Sequence, residues 1–387
     1  MENADTDAVR KILGVDPRLD RLELASRAIG LRGNELIHAG PPIADPIEIC
    51  RPILHSAITA ARFEGWAQSI EEAERLLRSG EIRLRAAQDL NCVVPLADVA
   101  SPSMWLQGVR HGRSACWSPI NGGMTNVLRV GVLGEDVLAH LRWLNGRFAE
   151  AFAQALTTPV RVLDLADRGL AGGDDCHGRT AVATAALLET IDDRVTGDRG
   201  QALREFLQRS PSFFLNIWMA ASKLMLDAAR GSGASTVITA AGGNGSAFGI
   251  QIASRPGEWF AVPAMPPAVA PGSLGSAQAL GAIGDSAVVD MLGLGAMTNL
   301  ERGLAPQLPA FIEQTDGLAA LLYARHPAMA RTHPLMVTSA QRAVESGRAP
   351  IMSLGVLDKE GRLGRLTGGY YRPPGAIFRR VLDAARA

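Results

Sequence analysis

Lysine is nearly missing from this chain. Lys11, Lys223 and Lys359 are the only three among 39 basic residues, and 39 acidic residues balance them. With no basic excess, nothing points to nucleic acid or an anionic membrane surface as a partner, and a small neutral or anionic ligand in a local pocket fits better. The four cysteines, Cys50, Cys92, Cys116 and Cys176, stand far apart with no Cys-x-x-Cys pair. That excludes a zinc ribbon and a disulfide framework. The opening Met1-Glu2-Asn3-Ala4-Asp5 is acidic and polar, unlike a secretory signal, so a cytoplasmic protein with reduced thiols is expected. Charge is absent from 231–254 and 259–284, but Pro263, Pro266, Pro267 and Pro271 forbid a spanning helix there. A buried core with tight turns is the better reading, and no repeat or low-complexity linker is present.

What is there is ample for a core: 387 residues, 47% of them hydrophobic, enough for two or three domains. A short helix is expected over residues 20–29, then a strand over 35–39 that must stop at Gly40-Pro41-Pro42. Helices follow at 49–66 and 69–78, the second opened by Ser69 three residues before Glu72, as in a capping box. Residues 82–130 read as short strands. Val137, Leu138, Leu141, Leu144, Phe148 and Phe152 recur at helical spacing. Residues 163–230 read as mainly helical, with 213–229 apolar nearly all round and therefore buried. Strands at 236–239, 248–252 and 259–262 are joined by short turns, so an antiparallel sheet is expected. Helices at 285–292, 318–323 and 338–345, a strand at 351–357 and a helix from about Gly375 complete the chain. The expected fold class is α+β and multi-domain: an α/β-type domain at 1–165, a small helical domain at 166–232 and a second, α+β domain at 233–387.

Five constellations are candidates for chemistry. Gly173-Asp174-Asp175-Cys176-His177-Gly178-Arg179 packs two carboxylates, a thiol, an imidazole and a guanidinium between glycines. Such a cluster can activate a nucleophile or move protons. Equally, Asp174 or Asp175 can cap the helix that follows. Adjacent residues rarely converge on one ion, so no metal is expected here, and no cofactor is indicated elsewhere. His38 stands at a strand end before a rigid turn, a place for ligand contact or for a satisfied core histidine. Gly242-Gly243-Asn244-Gly245-Ser246 can offer N–H groups to an anion but lacks the ending of a Walker loop. Asp285 is the first charge after a long uncharged run and needs a partner or a helix to cap. Asn216 and Lys223 lie two turns apart on one helix face, where Lys223 can meet an anionic ligand or a salt-bridge partner.

In order along the chain these segments resemble the bacterial oxamate carbamoyltransferase subunit family of AllG/YlbE type. The resemblance is carried by Ile37-His38-Ala39-Gly40-Pro41-Pro42, Ser101-Pro102-Ser103-Met104, Gly173-Asp174-Asp175-Cys176-His177 with Arg179, and Phe213-Phe214-Leu215-Asn216 with Lys223. Asn244-Gly245, Phe248-Gly249-Ile250, Trp259-Phe260 and Ile283-Gly284-Asp285-Ser286 complete it. It implies a role in allantoin or purine nitrogen catabolism, where oxamate and carbamoyl phosphate exchange with oxalurate and phosphate. It also implies AllH-like and FdrA-like partner subunits. Three departures stand out. Ala86-Ala87-Gln88-Asp89-Leu90-Asn91 replaces a histidine-rich stretch, Asn121-Gly122-Gly123 replaces Asn-Glu-Gly, and Gly178 replaces an asparagine.

The expected function is therefore that of a carbamoyltransferase subunit acting at a carbamoyl or amide carbon. A stand-alone hydrolase or ring-opening enzyme on a small C–N compound is the alternative, and a non-catalytic assembly subunit the second. Carbamoyl transfer passes through a negatively charged tetrahedral species, which needs N–H donors and a proton shuttle. The expected catalytic residues are His177, as shuttle, with Asp175, Cys176 and Asp285. The expected substrate-binding residues are His38, Arg179, Asn216, Lys223, Asn244 and Gly245. A homo-oligomer is expected.

Overall fold

Alternation and turn chemistry sort the sequence into small sheets that helices cover. The structure, a computed structural model, describes residues 2–123, 127–298 and 317–386. The fold is α+β. The first sheet runs Ser114–Pro119, Trp105–His111, Arg18–Leu24, Val160–Arg161, all antiparallel. Its Arg18–Leu24 strand overturns the helix expected at 20–29, of which only Ala25–Ala28 is helical. A bulge between Leu19 and Arg21 breaks the two-residue alternation. Leu19 and Leu22 then both face inward three residues apart, which imitates helical spacing.

The second sheet places Glu35–His38 between Arg83–Ala86, parallel to it, and Val99–Ala100, antiparallel. Helices Arg51–Glu64 and Ile70–Arg78 pack beside it. Ser69 caps the latter by accepting the Glu72 N–H at 3.1 Å. The stripe at 137–152 is a helix, Glu135–Trp143, that passes through a π turn at Leu144–Phe148 into Ala149–Ala155.

The third sheet runs Arg255–Pro263, Ala247–Ile252, Ile238–Asn244, Ile283–Gly284, all antiparallel. The glycine-rich stretch expected as a loop is largely strand here. A Cβ on Gly243 would lie 2.1 Å from the Ala282 carbonyl oxygen, so only glycine allows this pairing. Two hairpins follow, Leu322–Arg325 with Leu335–Thr338 and Met352–Leu357 with Arg365–Tyr371. The helix expected at 318–323 is one 3-10 turn, Leu318–Leu321, that runs into the first hairpin. Helix Gly375–Arg386 closes the chain.

Three hydrophobic cores result. One draws on residues from Ala8 to Val337 and surrounds the Phe213–Asp227 helix, buried nearly all round as its sequence requires. Phe148, Phe206 and Phe213 interlock there edge to face at 4.6–6.1 Å. Such contacts are worth about 0.5–1.5 kcal/mol each beyond their buried area. The second core lies between the Arg51–Glu64 helix and the second sheet, and the third between the third sheet and the last helix. No described helix is long and apolar enough to cross a membrane.

One junction ties the N-terminal part to the third sheet. Gly40 has φ +78°, and a Cβ there would lie 2.4 Å from the Gly243 carbonyl carbon. The Gly40-Pro41-Pro42 turn thus lies directly on the strand. Asn244 donates from Nδ2 to the Pro41 oxygen at 2.9 Å, and Asp285 accepts the Gly40 N–H at 2.9 Å.

Candidate functional site

The 173–179 loop leaves helix Val162–Ala171 and feeds helix Ala181–Ile191, and its two carboxylates divide the work of holding it. Asp174 accepts the N–H groups of Val182 at 3.3 Å and Ala183 at 2.9 Å, so it caps the second helix. Asp175 accepts the N–H groups of His177 at 2.8 Å and Arg179 at 2.9 Å and pairs with the Arg179 guanidinium at 3.4 Å. Cys176 takes φ +65° between them, a left-handed backbone that an L side chain adopts at a cost of about 1–3 kcal/mol.

This geometry turns the His177 imidazole toward Asp290, a residue with no sequence motif of its own. Nδ1 meets the buried Asp290 Oδ2 at 2.6 Å. Asp290 stands on helix Ala287–Met291, and its other oxygen accepts from Ala296 N at 2.8 Å and Ser353 N at 3.2 Å. Gly295 is required beside the pair: a Cβ there would lie 2.4 Å from Asp290 Oδ1 and 2.9 Å from His177 Cβ. Burial works to lower the imidazole's pKa, but the adjacent Asp290 carboxylate and its hydrogen bond outweigh it and hold the pKa above 6.5. With Nδ1 committed to Asp290, Nε2 is the nitrogen left to exchange a proton with a ligand.

His177 opens on a cavity of about 300 Å³ between distant parts of the chain. One side is Asp175, Gly178 and Arg179, with Leu215 and Asn216 from the start of the Phe213–Asp227 helix. Another is Leu96 and Arg129. The third is the last hairpin, with Ser353, Gly355, Arg365, Gly368 and Tyr370, and Ser286 also contributes. Its polar groups are three guanidiniums, one of them paired with the Asp175 carboxylate, an imidazole, an amide and hydroxyls around a partly apolar wall, a net positive lining suited to a small anion. Among the described residues no group of three His, Cys, Asp or Glu side chains could hold a metal ion.

Of the residues singled out in the sequence, the structure brings together His177, Asp175, Arg179 and Asn216 around this cavity. The others lie elsewhere. Cys176 is fully buried in the first core, and burial with the Asp175 and Asp174 charges pushes its thiol far up, which disfavours the thiolate that a nucleophile needs. Lys223 is buried and pairs with Asp227 one turn along its own helix. His38 is a core residue whose Nδ1 donates to the Ala39 oxygen at 2.8 Å, and burial lowers it to about 4. Asn244 and Gly245 make the hairpin turn, where Asn244 Oδ1 accepts from Ser246 and Ala247 N. Asp285 is buried behind the cavity and accepts from Gly40 N, Val94 N and Gln88 Nε2 at 2.9, 2.9 and 2.6 Å. Burial raises it to about 7 despite those donors. The 86–91 segment serves the same junction: Gln88 bonds Asp285, and Asp89 accepts from Trp259 Nε1 at 2.9 Å.

Sequence reasoning missed Asp290, Arg129 and Arg365. For Asp290 there was a signal. A lone carboxylate in Val288-Val289-Asp290-Met291-Leu292 has no reason to be buried without a partner.

Comparison with known proteins gives this cavity a context. The family model for oxamate carbamoyltransferase subunit AllG matches residues 82–286, which include the 173–179 loop, Arg129 and Asn216. The oxamate carbamoyltransferase subunit AllG of Escherichia coli strain K12 is 29% identical over 91% of this chain and 89% of its own length. The uncharacterized protein YahG of the same organism is 27% identical over 98% of this chain and 84% of its own. A crystal structure of a conserved protein of unknown function from Enterococcus faecalis V583 shares the fold with a TM-score of 0.90 at 23% identity, covering 100% of this chain and 97% of that one. Matched by the family model over more than half its length, the chain belongs to the AllG family of oxamate carbamoyltransferase subunits.

Proposed function

We propose that this chain is a carbamoyltransferase subunit whose His177 cavity carries the transfer of a carbamoyl group to the nitrogen of oxamate or a closely related small amide. The observation that supports it best is the His177–Asp290 pair, buried and oriented, opening on a cavity rich in arginine. In the reaction the oxamate nitrogen attacks the carbamoyl carbon of carbamoyl phosphate. The new C–N bond forms, the C–O bond to phosphate breaks, and the nitrogen gives up a proton as phosphate leaves. His177 Nε2 takes that proton while Asp290 steadies the imidazolium, a task that contributes about 10²–10⁴ in rate. Arg179, fixed by Asp175, and the Asn216 amide bind the carboxylate and amide of the acceptor. The family's subunit character supports assembly with other subunits, for which AllH-like and FdrA-like chains are the proposed partners.

The test is formation of oxalurate from oxamate and carbamoyl phosphate by the purified chain, alone and with the products of neighbouring genes. Turnover in the assembled complex, lost on omitting this chain, is expected. Absence of turnover in every combination, with hydrolysis of cyclic imides or ureides by the chain alone, would contradict the reading.

A further inference from the structure

Two guanidinium groups beside His177 carry charge that no carboxylate directly cancels. Arg129 donates to the side-chain oxygen of Asn121 and, at 2.9 Å, to the Gly123 carbonyl, both neutral acceptors. Arg365 donates through Nε to the Thr367 carbonyl at 3.3 Å. Among the described residues neither makes an ion pair within 4 Å, whereas Arg179 has Asp175 and His177 has Asp290. Asp98 contacts Arg129 through Asn121, whose amide donates to it, and also favours the guanidinium charge through space, while burial raises Asp98 itself to about 7. Burial, opposed by the Asp98 charge and aided by the nearby Arg365 charge, pulls Arg129 down to about 10, still protonated at neutral pH.

Two like charges are thus held within reach of one another at the wall of a cavity, an arrangement that costs folding energy unless something negative sits between them. The surface beside them is bare backbone. Gly355 and Gly368 face each other across the last hairpin, and both line the cavity. A Cβ on Gly355 would press to 2.9 Å on the Leu96 side chain and 3.5 Å from Arg365 Nε. Side chains here would close the space in front of the guanidinium.

We propose that Arg129 and Arg365 form a subsite for a small dianion, whose two charges the pair neutralises and whose oxygens the two guanidinium edges bind. The inference rests on the reading of this cavity as the working site and adds what part of the ligand goes where. Asn121, clamped by Asp98, fixes the Arg129 plane. Arg365, itself exposed at the start of the hairpin's second strand, closes the other side. A phosphate monoester group and a dicarboxylate share this chemistry.

The test is calorimetric titration of the purified wild-type chain at constant ionic strength with inorganic phosphate, with oxalate, and with acetate as the monoanion control. Binding of phosphate or oxalate well above acetate is expected, and the tighter of the two tells which dianion the subsite takes. Arg365→Gln and Arg129→Lys should each weaken it about tenfold or more, as loss of a bidentate charge-assisted contact does. Arg365 is exposed and its charge opposes that of Arg129, so its variant is expected to melt at or above the wild type, which separates lost binding from lost fold. Dianions binding no better than acetate, or Arg365→Gln binding phosphate as wild type does, would overturn the proposal. Because no turnover is read, failure here leaves a catalytic His177 standing, and a dead His177 variant that still binds phosphate leaves the subsite standing.

Discussion

Replacing His177 by alanine is expected to lower the rate of the assembled enzyme by about 10²–10⁴, the usual contribution of a positioned proton shuttle. Asp290→Asn should cost part of that and should also move the pH profile. The carboxylate keeps the His177 pKa above 6.5 against the lowering effect of burial. A base works only when deprotonated, so kcat/KM should rise with pH through a midpoint above 6.5. An amide in place of Asp290 removes the upward pull and leaves burial, so the midpoint should fall. Cys176→Ala is the control within the same loop. Its thiol is buried and stays protonated, so activity should remain within about twofold, at a stability cost of about 1 kcal/mol for the lost packing. A full loss of activity in Cys176→Ala with a near-normal melting temperature would instead make the thiol the reacting group.

Asp285→Ala should destabilise the fold by about 3 kcal/mol or more, because it strands the N–H groups of Gly40 and Val94 and one N–H of the Gln88 amide, whose other stays on the Ala241 oxygen, in a buried place. The effect has a pH signature. Burial lifts the Asp285 pKa from 3.8 to about 7, so the folded state holds a proton that the unfolded chain releases near pH 4. Its stabilisation is full below pH 4 and is lost as pH rises through 7. The gap in stability between wild type and Asp285→Ala should therefore be wider at pH 5 than at pH 8, measured by urea unfolding at each pH. An equal gap at both would mean that Asp285 is ionised in the fold throughout.

These two residues also show what the sequence could and could not convey. The 173–179 loop was legible because five reactive side chains between glycines are rare outside a built turn, and the turn does line the cavity. Asp290 was not legible as a partner, since it lies 113 residues from His177 and carries no motif. Arg129 and Arg365 look like any surface arginine until the last hairpin folds against the N-terminal part. The motifs around His38, Asn244 and Asp285 lie at a packed junction and not at the His177 cavity, for a physical reason. A crossing of two chain segments needs glycines for close approach and buried polar groups for bolts, and these are also the materials of a binding loop. In the fold, alternation gave the third sheet, while the bulge at Leu19/Arg21 disguised a strand as a helix.

The most direct measurement is a crystal structure of the chain with oxamate and inorganic phosphate bound together. Oxamate is predicted against Arg179 and Asn216 with its nitrogen within hydrogen-bond distance of His177 Nε2, and phosphate between Arg129 and Arg365. Ligands bound instead at the junction of Gly40, Asn244 and Asp285, with the His177 cavity holding only water, would contradict it.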